Sequence, residues 1–335
     1  MNANEIFLER EKTFLSPYAF LTSSTKGREL PVAPCPNRTD FQRDRDRILH
    51  CKSFRRLMHK TQVFYSPEDE HFRTRMTHTL EVTQISRIIA RALRLNEDLC
   101  EAAALGHDLG HTPFGHSGEF AMQQFYSPDF AHYKQSIRVV ERLENNGEGL
   151  NLTWEVKDAI LNHTGSSQAS TLEGTIIKLA DRIAYINHDI DDAIRAKVLT
   201  LDDIPKDIIN TLGRGHSERI NTMVKSVINE SLDKPYVRMD DEISEATMEL
   251  RSFLFKNVYH NNVVKAEEDK VIEMLRILFE YFVKSPDKMP ELYRNNCETD
   301  GVERSVCDYI SSMTDRYALK TFRELYVPGI WGGKI

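Results

Sequence analysis

The segment GHDLGHTPFGHSGE, residues 106–119, places three histidines and two acidic residues within fourteen positions. It follows an alanine-rich helical pattern at 96–106, so these side chains cluster where a core helix is expected to end. Ionisable groups cost free energy to bury unless they are paired or bound to a metal. The segment therefore predicts a site that binds a divalent metal and transfers protons, which is typical of a metal-dependent hydrolase.

Composition narrows the class of protein. The chain has 335 residues, a net charge of −7, 40% apolar residues and five cysteines that form no CxxC pair. Such values are ordinary for a globular enzyme, and a cytoplasmic location is expected. No apolar run approaches the length of a membrane span, so no membrane partner is expected. The negative charge gives no general attraction to nucleic acid, and this partner class stays open.

Helical periodicity dominates from Asp40 onward, after a proline-rich arm at 15–40. In the pattern that precedes the histidine-rich segment, Val82, Ile85, Ile89 and Leu93 share one stripe, and His78 extends it. Asn96 is the expected N-cap of the next helix, with Gly110 and Pro113 ending it. Further amphipathic patterns cover 133–145, 153–163, 173–198, 216–232, 240–259, 264–283 and 303–325. The prediction is an all-α chain.

The pattern at 173–198 is the clearest long helix. It carries an isoleucine-rich face, and a second face holds Asp181, Tyr185, Asp189 and Asp192. Four residues are candidate ligands of one metal ion: His78, His107, Asp108 and Asp181. Each of them alone is more often a cap, core or surface residue. Two imidazoles and two carboxylates suit Mn²⁺, Fe²⁺, Co²⁺ or Ni²⁺ better than Mg²⁺, which remains a further candidate.

These residues resemble the H…HD…D pattern of the HD-domain metal-dependent phosphohydrolases. The match extends to RTDFQRDRDRILHCKSFRRLMHKTQVF (38–64), RTRMTHTLEV (73–82), HYKQSIRVVERLE (132–144) and LADRIAYINHDIDDA (179–193). Together these segments resemble bacterial deoxynucleoside triphosphate triphosphohydrolases, and the deoxyguanosine triphosphate triphosphohydrolase-like proteins in particular. The resemblance covers about residues 15–195. It implies a single helical unit over 1–335, with an HD catalytic core at 60–200 and a C-terminal helical region at 201–335.

The resemblance also implies a reaction: attack at the α-phosphorus of a deoxynucleoside triphosphate, releasing deoxynucleoside and triphosphate. A metal held by the four ligands would activate water. His116 is the expected acid for the 5′-oxygen, with Glu119 three residues later expected to fix its tautomer and raise its pKa. His111 and His132 match positions that contact the α-phosphate.

The remaining matched positions are expected to bind substrate. Arg75 and Arg182 match basic residues that bind phosphate, while Tyr185 would block the 2′ side of the sugar. Asp189 would accept a hydrogen bond from the 3′-hydroxyl, and Gln62 matches a second sugar contact. Without the motif, a helical arginine is more often solvated and a tyrosine more often part of the core. His163 and His188 match no essential position and are interpreted as ordinary polar residues.

Two other functions stay open: an HD phosphomonoesterase or cyclic-nucleotide phosphodiesterase, and a nucleotide sensor without catalysis. The residues His116, Glu119, His132 and Tyr185 argue against the first, because a simpler phosphatase would not need them. The intact metal ligands and His116 argue against the second, because a pure binder has no use for an acid. A homo-oligomer is expected from the family. The preferred base and any need for a nucleotide activator stay open. The basic segment 43–60 suits phosphate contacts or a subunit interface better than a DNA groove.

Overall fold

The regular structure is helical throughout the part of the chain that the computed structural model describes, residues 1–65, 71–259 and 262–328, with side chains described outside 262–266. Two isolated bridges, Arg28 with Thr153 and Thr61 with Thr74, are the only β-pairing in these ranges. The all-α prediction is confirmed. The helices of these ranges are α1 Ala3–Phe14, α2 Asp40–His50, α3 Lys52–Arg56, α4 Arg75–Ala92, α5 Glu97–Gly106, α6 Gly115–Phe125, α7 His132–Arg138, α8 Trp154–Leu161, α9 Leu172–Arg195, α10 Lys206–Leu212, α11 His216–Ser231, α12 Asp241–Leu254, α13 Asn262–Lys284, α14 Glu291–Asp300, α15 Val302–Ser311 and α16 Asp315–Tyr326.

Helix α5 lies at the centre of the molecule and packs against α2, α4, α8 and α9. One of its faces contributes Leu99 and Leu105 to a first apolar cluster, and the other contributes Ala103 and Ala104 to a second. Small residues permit these close approaches: a Cβ on Gly106 would lie 2.6 Å from a methyl group of Ile160. The histidine-rich segment therefore begins deep inside the protein.

The predicted end of α5 is wrong by several residues. The helix ends at Gly106 rather than at Gly110 and Pro113, so His111 lies in the following loop rather than at the helix end. The reason is a tertiary contact: the Ser136 hydroxyl donates to the His107 carbonyl and accepts from the Gly110 N–H. These backbone groups are satisfied by a side chain on α7 instead of by a continued helix.

Helix α9 confirms the predicted long helix. Its isoleucines, from Ile176 to Ile190, are buried in the second cluster, while Asp181 and Tyr185 are half-buried on another face. The Thr171 hydroxyl caps its start by accepting from the Gly174 N–H. Because α4 packs against both α5 and α9, the three segments that carry the predicted metal ligands meet in one place.

The C-terminal third completes both clusters. Helices α10–α12 pack in the second cluster, and α13 and α15 pack in the first, where α13 contacts α6. The predicted pattern at 303–325 is two helices, because α15 ends at Ser311 and Thr314 caps α16. The division into a core at 60–200 and a region at 201–335 stays a prediction.

Candidate metal centre and substrate cavity

Four side chains from three segments converge beside α5. The Nε2 atoms of His78 and His107 lie 3.3 Å apart, and His78 Nε2 lies 3.2 Å from an Asp181 oxygen. The Asp108 carboxylate lies 3.7 Å from His107 Nε2 and 4.0 Å from His78 Nε2. Ligand atoms at about 2.1 Å from one ion lie about 3 Å apart at right angles. The residues present therefore fit a divalent transition metal.

The ring orientations support this fit. His107 Nδ1 donates to the Ala104 carbonyl at 2.6 Å, which leaves its Nε2 lone pair facing the other ligands. His78 Nδ1 shares a 2.9 Å hydrogen bond with His188 Nε2, so its own Nε2 also faces inward. Metal-binding imidazoles are commonly held through their second nitrogen in this way. His188 is thus a supporting residue of the centre, contrary to its interpretation as an ordinary polar residue.

The charges of the centre favour the forms that bind a metal. Burial opposes ionisation of Asp108, but the Arg75 guanidinium, at 2.7 Å, holds the pKa of that carboxyl well below its usual value. Burial likewise opposes ionisation of Asp181, and the His78 hydrogen bond and charge lower the pKa of Asp181. Burial lowers the pKa of His107 and favours the neutral imidazole. Carboxylate and neutral imidazole are the required ligand states.

Three more histidines surround the same centre. His111 and His132 stack with ring centroids 4.7 Å apart, and His116 lies edge-on to His111 at 5.9 Å. His111 is fully buried in the loop after α5, whereas His116, on the first turn of α6, is exposed to a cavity. Burial and the nearby Arg75 guanidinium lower the pKa of both imidazoles in the ligand-free protein.

The prediction that Glu119 pairs with His116 is wrong. Its carboxylate accepts hydrogen bonds from the His132 backbone N–H at 2.8 Å and from His132 Nδ1 at 3.1 Å, rather than from His116. Burial disfavours the charged forms of both side chains. The attraction between Glu119 and His132 outweighs burial, so it lowers the pKa of Glu119 to about 2 and raises the pKa of His132. The reason for the difference is tertiary: α7 brings His132 against α6, which spacing along one helix does not reveal.

A cavity of about 330 Å³ opens in front of the metal ligands. Most of the predicted site residues line it: Gln62, Arg75, His78, Asp108, His111, His116, His132, Asp181, Tyr185 and Asp189. Several of their buried polar atoms have no hydrogen-bond partner among the described residues, namely Arg75 Nε and Nη2, Gln62 Oε1 and His111 Nδ1. Because buried polar groups are nearly always satisfied, these atoms indicate a polar ligand.

Glu119, His107 and Arg182 are the predicted site residues that do not line this cavity. His107 is buried behind the cavity wall as a metal-ligand candidate, and Arg182 is half-buried on α9 and is not among the residues that line the cavity. His163 does line it, with Nε2 at 3.3 Å from His132 Nε2. Burial and His107 lower the pKa of His163 to about 3, so a neutral ring stands here. His163 therefore lies in the cavity wall, and its interpretation as an ordinary polar residue stays a prediction.

The C-terminal third supplies residues that the sequence did not reveal. Arg251, on α12, donates through Nε to the Tyr185 hydroxyl at 2.7 Å. The Tyr259 hydroxyl donates to Asp189 Oδ2, while Asp189 Oδ1 lies 2.8 Å from His188 Nδ1 without hydrogen-bond alignment. The Arg251–Tyr185 and Tyr259–Asp189 hydrogen bonds connect residues 66 and 70 positions apart, so no local pattern predicts them.

Comparisons with known proteins agree with this architecture. Residues 75–186 match the HD domain, and residues 237–324 match the phosphohydrolase-associated domain. A phosphohydrolase crystal structure from Bacteroides thetaiotaomicron superposes with a TM-score of 0.52 at 17% identity, covering 84% of this chain and 67% of that one, which supports the fold. No helix in the described ranges is long and apolar enough to cross a membrane.

Curated relatives match over nearly the full length. A deoxyguanosinetriphosphate triphosphohydrolase-like protein from Caldanaerobacter subterraneus subsp. tengcongensis is 57% identical, with 99% of this chain and 98% of that protein covered. One of the same name from Desulfatibacillum aliphaticivorans is 47% identical, with 98% and 99% covered. With its HD domain, its helical fold and these relatives, the chain belongs to the deoxyguanosinetriphosphate triphosphohydrolase-like family of HD-domain phosphohydrolases.

Proposed function

We propose that this hydrolase cleaves deoxynucleoside triphosphates at the α-phosphorus and releases deoxynucleoside and intact triphosphate. One observation carries the proposal: the Arg75 N–H groups that have no partner among the described residues lie in the same cavity as three of the four metal-ligand candidates, His78, Asp108 and Asp181. A guanidinium with free N–H groups is suited to phosphate oxygens. The relatives' names, which specify a triphosphohydrolase-like protein, point to the same substrate class.

The metal would be held by His78, His107, Asp108 and Asp181. When bound, it supplies an activated water and polarises a phosphate oxygen. Two imidazoles in the set favour Mn²⁺, Fe²⁺, Co²⁺ or Ni²⁺ over Mg²⁺. The protein's own part is to orient these ligands through Ala104 and His188 and to keep the carboxylates ionised.

Three side chains would stabilise the negative charge of the phosphate: Arg75, His111 and His132. Arg75 presents Nε and Nη2 to the cavity while its Nη1 remains on Asp108. His111 offers an Nδ1 that has no partner among the described residues, and His132, whose pKa is raised by Glu119 against the effect of burial, stacks beside it. Donors fixed in place before the reaction stabilise developing charge without reorganisation. Arg182, which does not line the cavity, is assigned to the outer phosphates only as an expectation of the family resemblance.

His116 is the proposed acid for the leaving 5′-oxygen, since its ring is exposed to the cavity. Its pKa is lowered by burial and by Arg75 in the ligand-free protein. A bound polyanion would neutralise the Arg75 guanidinium and so favour the imidazolium. General acid catalysis of this kind contributes roughly 10²–10⁴-fold to a rate.

Sugar selection falls to the residues around Tyr185. Its ring is held in place by the hydrogen bond from Arg251, so a ribose 2′-hydroxyl would meet a fixed aromatic edge. Asp189 is proposed to accept from the 3′-hydroxyl, and Gln62 offers an unpartnered carbonyl oxygen to the same substrate. A homo-oligomer in the cytoplasm stays an expectation of the family resemblance.

The test is product analysis. The purified protein is incubated with each of the four deoxynucleoside triphosphates, singly and mixed, with Mn²⁺ or Mg²⁺, and the nucleosides and phosphates are resolved by chromatography. Deoxynucleoside with triphosphate supports the proposal. Orthophosphate or a nucleoside monophosphate would favour a different phosphohydrolase activity, and tight binding without turnover in any metal would favour a sensor.

A further inference from the structure

A second pair of imidazoles lies beside the four metal-ligand candidates. His132, at the start of α7, and His163, directly after α8, have their Nε2 atoms 3.3 Å apart. Helix α8 packs against both α5 and α7, and the ring centroids of His163 and His107 lie 5.0 Å apart. The proposed reaction gives His163 no role, although its side chain is 2% exposed and lies in the cavity wall.

The Nδ1 atom of each ring already has an acceptor. His163 Nδ1 donates to the Ile160 carbonyl at 2.7 Å, and His132 Nδ1 donates to the Glu119 carboxylate at 3.1 Å. A neutral imidazole carries one proton, so a ring that donates through Nδ1 has a lone pair at Nε2. The two Nε2 atoms therefore face one another as acceptors, and a cation is needed between them: a proton or a metal ion.

The same arrangement occurs at the first metal centre. There, the Nε2 atoms of His78 and His107 also lie 3.3 Å apart. His107 follows the end of α5 and donates to the carbonyl three residues earlier, as His163 does after α8. Each pair thus has one ring held by a main-chain carbonyl at a helix end and the other held by a neighbouring side chain. Because contacts of this kind orient metal-binding imidazoles, the second pair has the geometry of a pair of ligands.

Asp108 and His111 complete a ligand set around this second pair. One ligand atom from each of Asp108, His111 and His132 lies within 4.8 Å of the other two. His111 is 1% exposed, and its Nδ1 has no hydrogen-bond partner among the described residues. An ionised carboxylate offers about four lone-pair sites, and the Arg75 guanidinium uses one of them on Asp108 Oδ2. Asp108 therefore has enough lone pairs to serve both centres.

The charges around the second pair agree with this geometry. Burial opposes ionisation of Glu119, but its attraction to His132 lowers the pKa of Glu119 to about 2, so the carboxylate is ionised at neutral pH. A carboxylate on the far nitrogen makes an imidazole a more basic ligand. Burial and His107 lower the pKa of His163 to about 3, which keeps that ring in the neutral form that metal binding requires.

We propose that a second divalent ion binds beside the first, between His132 and His163, with His111 and the shared Asp108 as its further ligands. Three imidazoles and one carboxylate suit a transition metal such as Mn²⁺ or Fe²⁺ better than Mg²⁺. The use of this ion rests on the proposed function, but its binding does not. Two ions about 3.5–4 Å apart stabilise the attacking and leaving oxygens of a phosphate displacement. His111 and His132 would then act on the phosphate through the ion.

A count of bound ions tests the site. The protein is stripped of metal with a chelator and titrated with Mn²⁺ at about pH 8, well above the ordinary pKa of imidazole. Equilibrium dialysis with elemental analysis gives the ions per chain, and electron paramagnetic resonance shows whether two Mn²⁺ ions are close enough to couple magnetically. His163→Gln removes a candidate ligand. His59→Gln is the matched control, because His59 is exposed and does not line the cavity.

The wild type and His59→Gln should bind two ions per chain and give the spectrum of a coupled pair. His163→Gln should bind one ion and give the spectrum of a single, uncoupled Mn²⁺. Glu119→Gln keeps every candidate ligand and should weaken only the second ion, by about 10–100-fold, the loss typical when a contact behind a ligand is changed. Glu119→Gln also tests the site if His163→Gln fails to fold, which thermal unfolding of the metal-free variants detects.

A single bound ion in the wild type overturns the proposal and leaves a proton between the two rings. A second ion that is not coupled to the first, or that binds both variants as tightly as the wild type, overturns it too, as an adventitious ion only. The count needs no substrate, so the two proposals fail separately. Two coupled ions without hydrolysis of any deoxynucleoside triphosphate would support the site and reject the proposed function, and one ion with that hydrolysis would do the reverse.

Discussion

At the scale of single residues, the cavity beside the metal-ligand candidates contains buried polar atoms that have no hydrogen-bond partner among the described residues. Arg75 uses one nitrogen to hold Asp108 and leaves two others unbonded, although its side chain is almost completely buried. Gln62 Oε1 and His111 Nδ1 are likewise buried without a hydrogen-bond partner among the described residues. The desolvation cost of such atoms is recovered only when a ligand fills the site, which ties their presence to substrate binding.

His116→Ala should abolish turnover while the metal content stays near that of the wild type, because His116 faces the cavity and is not one of the four metal-ligand candidates. His107→Ala is the contrasting variant and should lose the metal. Metal analysis of both purified variants, alongside their initial rates, checks the assignment. Loss of metal from His116→Ala would make His116 a ligand instead.

Tyr185→Ala should relax the discrimination against ribonucleotides, since the fixed ring would no longer oppose the 2′-hydroxyl. Tyr185→Phe keeps the ring but loses the hydrogen bond from Arg251, so it should retain most of the selectivity. The measurement is the ratio of kcat/KM for matched deoxy- and ribonucleoside triphosphates. Unchanged selectivity in Tyr185→Ala would remove the steric role of this residue.

At the scale of elements, the loop between α5 and α6 carries three candidate site residues, His107, Asp108 and His111, and α7 fixes its position. Ser136 bridges the His107 carbonyl and the Gly110 N–H, and Asp315, at the start of α16, accepts from the Phe114 N–H at 2.8 Å. The loop is therefore held from two sides. Its geometry depends on close packing rather than on helical propensity.

Gly110→Ala should destabilise the protein and disturb the metal centre together. The added Cβ would lie 2.1 Å from the Ser136 nitrogen and 2.3 Å from the Gln135 carbonyl carbon, so α7 or the loop must move. Overpacking of this kind costs about 1–3 kcal/mol or more. Thermal unfolding and metal content are the measurements, with Gly215→Ala as control because its nearest contact would be 3.5 Å. Equal melting temperatures and equal metal contents in the two variants would contradict this prediction, because they would show that the contact between Gly110 and α7 tolerates the added Cβ.

The elements that follow from sequence are those with strong periodicity. The isoleucines of α9 recur every three or four residues, which places them on one apolar face of a helix. This spacing predicts the long helix. The end of α5 and the partner of Glu119 do not follow, since each depends on α7 through Ser136 or His132. Local patterns do not encode which distant helix supplies a hydrogen bond.

At the scale of the whole molecule, Glu173 joins three parts of the chain. This buried carboxylate, in the first turn of α9, accepts from the Phe20 N–H in the N-terminal arm and from the Asn96 N–H before α5. Its other oxygen has no partner among the described residues. Burial raises the pKa of Glu173 from 4.5 to about 7.

Stability should therefore fall as pH rises across this window. Because the folded-state pKa is raised, the contribution of Glu173 is complete below about pH 4.5 and is lost as pH rises through about 7, by about 3 kcal/mol. Glu173→Gln stays neutral and keeps the acceptor oxygen, so its stability should depend less on pH. Urea unfolding at pH 5 and pH 8 measures this, with exposed Glu9→Gln as control. A slope identical to that of the wild type would contradict the account.

The molecule as a whole also explains what the sequence could not predict about the site. The metal-ligand candidates were identifiable because they lie in dense local motifs, and α4, α5 and α9 bring them together. Arg251 and Tyr259 reach Tyr185 and Asp189 because α12 packs on α9 and leads into the helical turn at 255–259. Only the folded chain reveals that the C-terminal third is part of the cavity.

The central claim is that water attacks the α-phosphorus. Hydrolysis of dGTP by the Mn²⁺-loaded protein in ¹⁸O-labelled water, with mass spectrometry of both products, measures the position of the bond that breaks. The account predicts intact triphosphate carrying one ¹⁸O and unlabelled deoxyguanosine. Label in deoxyguanosine, or label in orthophosphate with dGDP as the other product, would contradict it.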